Sequence, residues 1–207
     1  MSNAVAILQN SLEGPQARTK ASGPAADEFL VRTQLQAQEL WIGCAAFEAA
    51  DLVNELDGDD ISGALEAADR VVRITRCLRE QVRLLSALPP PRLRWLRRRF
   101  GAGDPGSTGT DRATLAANAA WAALERLLAR RRSSVFAIYY LPDRNPGICR
   151  LLERFVDWDA ALQSWLAECS MLAGDVGAGG ARVPGRIFPE LWKVRAEIHR
   201  VWPAHGA

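Results

Sequence analysis

From about residue 27 onward, apolar residues return every three or four positions, the spacing of one helix face. Phe29, Leu30, Leu40, Trp41, Cys44, Phe47 and Leu52 mark a first long helix that begins at Asp27. Asp57-Gly58-Asp59-Asp60 breaks it, and Asp60 is placed to cap the next helix. That helix spans Ile61 to Leu88, with an apolar stripe of Leu65, Ala68, Val71, Val72, Ile74, Leu78, Val82 and Leu85. Pro89-Pro90-Pro91 ends it, because proline lacks an N–H and clashes with the preceding turn. Arg92 to Phe100 reads as a short basic helix, and Gly101 to Gly109 as a loop built on Asp104-Pro105-Gly106. Thr110 or Asp111 caps a third long helix that runs to about Tyr140. Pro142 to Pro146 is a connector. Cys149 to Ala173 is helical, with a break near Asp157 left open. Gly174 to Gly185 is a second loop, and Pro189 opens a last helix ending near Val201.

β-Branched residues are sparse and never alternate over a useful length, so no strand is expected. The expected fold class is all-α, with long helices packed as a bundle. Residues 1–25 read as a flexible arm and residues 26–202 as one domain. A chain of 207 residues can bury one substantial core and little more.

Composition changes this picture only slightly. Hydrophobic residues make up 48% and charged residues 24%, ordinary values for a globular protein. The apolar runs stop well short of the ~20 residues that span a bilayer, and no charged-then-apolar leader opens the chain. A cytoplasmic protein with no membrane partner is expected. A net charge of +2 is too weak a bias to imply nucleic acid. Arg92, Arg94, Arg97, Arg98 and Arg99 form a local basic cluster that suits either a solvated helix face or an acidic group. Cys44, Cys77, Cys149 and Cys169 lack the paired spacing of a zinc site, and only His199 and His205 add soft ligands.

Leu35-Gln36-Ala37-Gln38-Glu39-Leu40-Trp41, with Phe47-Glu48 beyond it, resembles the signature helix of the tryptophan 2,3-dioxygenase family. That family reads F-I-x-x-H-Q-x-x-E-L-W and then F-E. Further pieces follow in order. Arg70, Val71, Arg73, Leu78, Gln81 and Leu85 lie along the family's second helix pattern. Leu96-Arg97-Arg98-Arg99-Phe100 takes the place of F-R-x-x-L, and Phe155 to Cys169 follows L-V-x-L-D-E-x-x-Q-x-W-R-x-x-H. Gly177-Ala178-Gly179-Gly180 keeps the frame of a glycine-rich substrate loop without its threonine, and Phe188-Pro189-Glu190-Leu191-Trp192 is similar to F-P-E-L-W. The resemblance covers most of residues 29 to 200. It implies a bundle of the tryptophan 2,3-dioxygenase type and a haem-binding domain over residues 26–202.

The residues that depart from the family pattern carry the functional question. The family's proximal haem ligand is a histidine, which here is Cys169. The resemblance therefore implies haem b held through Cys169 iron ligation, with His199 and His205 as other sources of a ligand. A thiolate on haem iron favours O–O cleavage, so it points to monooxygenation rather than ring opening. The alternative for Cys169 is a cysteine that simply packs. The distal histidine falls on Leu35, which can neither donate nor accept a proton. The pocket phenylalanine falls on Val31, a smaller wall. Arg97 takes the place of the arginine that holds a substrate carboxylate, with Arg94 and Arg98 as alternatives and haem propionates as another use of the cluster. Gly177, Ala178 and Gly179 are the candidate substrate loop, and Trp165, four residues before Cys169, is the candidate haem wall.

The implied activity is a haem-dependent oxygenase acting on tryptophan or a related aromatic amino acid, with molecular oxygen or peroxide as oxidant. Natural-product chemistry is the expected setting. A ring-opening dioxygenase, a haem protein without turnover, and a helical interaction module that lost the cofactor are the competing readings. The family also implies a homo-oligomer, a dimer or tetramer.

Overall fold

A computed structural model describes residues 24–86, 88, 91, 107–173 and 185–201. Among these residues every regular element is helical: α1 (Pro24–Asp57), α2 (Ile61–Ser86), α3 (Ser107–Arg130), α4 (Val135–Tyr140), a 3-10 turn (Pro142–Arg144), α5 (Pro146–Ala173) and α6 (Pro189–Val201). The all-α expectation holds. The expected short helix over Arg92 to Phe100 and most of the N-terminal arm lie outside the described residues.

The turn between α1 and α2 shows how local chemistry sets the topology. Asp59 takes a left-handed φ of 64°. Asp60 N–H donates to Glu55 O at 2.9 Å and Asp59 N–H to Leu56 O at 3.3 Å, the paired closure of a helix C-terminus. Asp60 then accepts from the backbone N–H of Ser62 and Gly63 at 2.9 and 3.0 Å, so its expected capping role is realised. With only three residues in the turn, α1 and α2 must run antiparallel.

Several helix boundaries differ from expectation: α3 begins at Ser107, so Gly109, Thr110 and Asp111 lie inside it and neither of the last two caps it, and α5 begins at Pro146. The third helix stops at Arg130 and does not reach Tyr140, because Arg132 adopts a φ of 49°. Ser133 N–H donates to Leu128 O at 2.9 Å and Arg132 N–H to Ala129 O at 3.0 Å, closing the helix. Ser134 starts α4 by accepting from Ala137 N–H at 3.1 Å. By contrast, α5 runs unbroken through Asp157, which pairs along the helix with Arg154 at 2.9 Å.

Ion pairs read out the helix directions. Arg70 of α2 reaches back to Glu48 and Asp51 of α1 at 2.6 and 2.9 Å, as antiparallel packing requires. Asp69 meets Arg154 and Arg83 meets Glu168, so α2 and α5 run parallel. Gly109 lies beside Ile42, and Asp57 meets Arg126 at 2.7 Å, so α1 and α3 also run parallel. The result is an up-down-up-down four-helix bundle. Between α3 and α5 the gap is filled by rings: Phe188, fully buried, stacks on Trp121 at 5.3 Å and meets Phe155 edge-on at 5.2 Å.

The largest correction concerns α1. Its most conspicuous apolar residues do not face the core: Phe29, Leu40 and Phe47 are exposed by 61%, 72% and 73%, and Trp41 and Cys44 are exposed as well. The buried face is Val31, Ile42, Ala45, Ala49, Leu52 and Leu56. Apolar residues surround α1, so spacing alone does not select a face. Small residues do, because Ala45 and Ala49 let α2 and α3 approach closely. In α2 the expected stripe is largely right, with Ala68, Val71, Val72, Leu78, Val82 and Leu85 all buried.

Candidate functional site

The helix directions gather one end of the bundle around the first half of α1. There α2 ends, α3 begins and α5 ends. A cleft of about 520 Å³ opens at this end. Leu35, Gln36, Gln38, Glu39, Leu40 and Ile42 of α1 form one side, and Trp165 of α5 forms the other. Leu35 and Trp165, nominated separately from segments 130 positions apart, therefore share one wall.

The residues around this cleft are layered. One turn before Leu35, Val31 is buried against Leu85 of α2, and Leu30, Leu35 and Leu88 pack onto that pair. Val31 thus backs Leu35 and is not in the cleft lining. Between them, buried Gln34 donates through Nε2 to Gln81 O at 3.5 Å. Gln81 Nε2 approaches Cys77 Sγ at 3.8 Å, while its Oε1 is buried with no partner. Trp165 is 1% exposed, and its indole N–H is buried with no acceptor. A buried donor without an acceptor forfeits about 1–3 kcal/mol, which marks the position as one where something else is expected to sit.

Cys169 stands one helical turn beyond Trp165 and is half-buried against the main core. It is not in the cleft lining. Its neighbour Glu168, mostly buried, lies 3.9 Å from both Arg79 and Arg83 of α2. Arg79 Nε is buried and makes no hydrogen bond. Cys149 sits nearer the opposite end, where burial and the charge of Glu153 push its thiol up, away from the thiolate form. Arg97, Gly177, Ala178, Gly179 and His205 lie outside the described residues, as does the side chain of His199.

Two features bear on a haem: Trp165 in a largely apolar cleft lining, and the Cys169 thiol one turn from Trp165 but outside that lining. Cys169 would be the ligand and Trp165 the wall.

Sequence reasoning missed a second polar centre. Asp159 of α5 is fully buried. It accepts from Trp192 Nε1 at 2.5 Å and from Ile187 N–H at 3.1 Å, and Arg186 lies 3.8 Å away. Arg186 also stacks on the Trp192 ring at 3.9 Å. This carboxylate ties the segment before α6 onto α5. The available signal was an aspartate among apolar neighbours, Trp158 and Leu162, on one helix.

The chain matches no family model and no curated protein.

Proposed function

We propose that the protein is a haem-dependent oxygenase that inserts one oxygen atom into tryptophan or a related aromatic amino acid, with Cys169 as the haem ligand. One observation supports this most: Leu35 of α1 and Trp165 of α5, distant in sequence, line one cleft, and Cys169 stands one helical turn beyond Trp165. A thiolate-held haem supplies O–O cleavage chemistry when bound. On ligation Cys169 loses its thiol proton. Leu35 offers no proton at its position and keeps that wall dry. Trp165 presents an N–H that needs an acceptor. The expectation of one haem b per chain is tested by the absorption spectrum of purified protein, followed by Cys169→Ala. A Soret band that disappears in the variant supports the assignment. An unchanged spectrum removes Cys169, and no band after reconstitution with haem removes the cofactor. Product mass then separates monooxygenation from ring opening.

A second reading, a helical interaction module, rests on the outer face of α1. Phe29, Leu40 and Phe47 repeat at 11- and seven-residue steps on one exposed stripe. Under either reading we propose that copies of the chain associate through this stripe into a dimer or tetramer, which sedimentation of wild type and Leu40→Glu tests. No described helix is long and apolar enough to cross a membrane.

A further inference from the structure

The outer face of α1 carries a stripe without a charge. Gln36, Leu40, Gly43, Phe47, Ala50 and Asn54 recur at three- and four-residue steps, on the side opposite the buried Ile42, Ala45, Ala49 and Leu52. The water-facing side of a helix is ordinarily charged or polar, yet here its centre is Leu40 and Phe47, both largely exposed. Sizes alternate along it: large at Leu40, small at Gly43, large at Phe47, small at Ala50.

Gly43 is the position that its own fold does not explain. A glycine inside a helix loosens it relative to alanine, so it needs a packing reason to be there. Gly63 of α2, Gly109 of α3 and Gly147 of α5 each have one: a Cβ there would stand 2.7, 2.7 and 3.0 Å from a side chain of a neighbouring helix. A Cβ on Gly43 meets nothing within 4 Å among the described residues. The small residue therefore leaves an open notch between the two exposed large side chains.

We infer that α1 pairs with α1 of a second copy, antiparallel about a two-fold axis, with Phe47 of each copy seated on Gly43 of the other. The inference rests on the proposed association of copies through this stripe and adds its direction, register and contacts. With Gly43 opposite Phe47, the same register sets Leu40 opposite Ala50 and Gln36 opposite Asn54. Every large side chain then meets a small one, and the amides at each end can hydrogen-bond. A parallel pair in register would stack Phe47 on Phe47 and leave a hole between two glycines, which loses packing contacts. A two-fold contact is self-complementary and closes at two copies. Gln36 to Asn54 is about 27 Å of helix, small for a specific interface, so a dissociation constant on the order of micromolar is expected.

The test is sedimentation equilibrium of the purified full chain across micromolar concentrations. Wild type should pass from monomer to dimer. Gly43→Phe sets ring against ring at both symmetric contacts, and Phe47→Ala empties both. Each should weaken the dimer at least about tenfold, with circular dichroism unchanged because neither position packs inside the bundle. Mixed in equal amounts, the two variants should pair to within about threefold of wild type, since each large side chain again finds a small one. In a parallel pair Gly43→Phe would fill the hole and tighten the dimer. Wild type that stays monomeric throughout would defeat both this inference and the association it rests on. A dimer lost in Leu40→Glu yet as tight or tighter in Gly43→Phe would defeat the antiparallel register alone, and so would variants that stay apart when mixed.

Discussion

Trp165 belongs to α5 and Trp192 packs against it from α6, yet only one of their indole N–H groups has a partner. At the α5–α6 seam Trp192 donates to Asp159, and the same carboxylate takes the Ile187 N–H. At the cleft end, Trp165 N–H, Gln81 Oε1 and Arg79 Nε are all buried without hydrogen bonds. Along the seam only Arg195 Nε is buried without a hydrogen bond among the described residues, and another guanidinium nitrogen of Arg195, Nη2, reaches Glu153 at 3.0 Å. The cleft end is polar, buried and incomplete, the condition expected where a protein meets something other than itself.

The comparison breaks most easily at Asp159. Asp159→Ala leaves two buried donors without an acceptor and should cost about 3–5 kcal/mol. Urea unfolding checks it, and a loss under 1 kcal/mol would mean the seam is not held as described. Trp192→Phe keeps most of the ring and removes one donor to a charged acceptor, so a loss of about 1.5–3 kcal/mol is expected by the same measurement. Trp165→Phe sharpens the contrast. It removes a donor that has no acceptor, so stability should change by less than about 1 kcal/mol in either direction. A loss as large as that of Trp192→Phe would show that the Trp165 N–H is satisfied after all.

The smallest expected effect lies at the far end of the bundle and depends on pH. Hydrogen bonding from Arg126 holds the Asp57 carboxyl below its ordinary value of 3.8, with charge from Arg126 and Arg130 assisting. A folded-state value below the unfolded one contributes stability above about pH 3.8, and this is lost as pH falls through the folded value. Asp57→Asn should therefore be slightly less stable than wild type at pH 7. The two should converge below pH 3.8, as read by thermal melts across pH. The group is exposed, so salt should shrink the difference.

Much of the bundle is legible from local signals. Asp60 caps α2 as its side chain predicts, Pro189 opens α6, and the stripe on α2 faces inward. Legibility fails where neighbours decide. Arg132 in a left-handed turn carries no glycine or asparagine to announce it, so α3 and α4 read as one helix. The site was half legible: the resemblance nominated Leu35, Trp165 and Cys169, but no spacing relates α1 to α5. Asp159 gave only the hint of a charge in an apolar stripe.

What the sequence by itself determined is the all-helical class, the long helices, and the break and cap at Asp57–Asp60, because these depend on interactions among residues within about four positions. Tertiary structure alone decided which side of α1 is buried. Leu40 and Phe47 look like core residues, yet Ala45 and Ala49 allow α2 and α3 to close in on the other face. It likewise decided that Leu35 and Trp165 share a cleft, since that depends on two helices whose register is set by packing along their whole length.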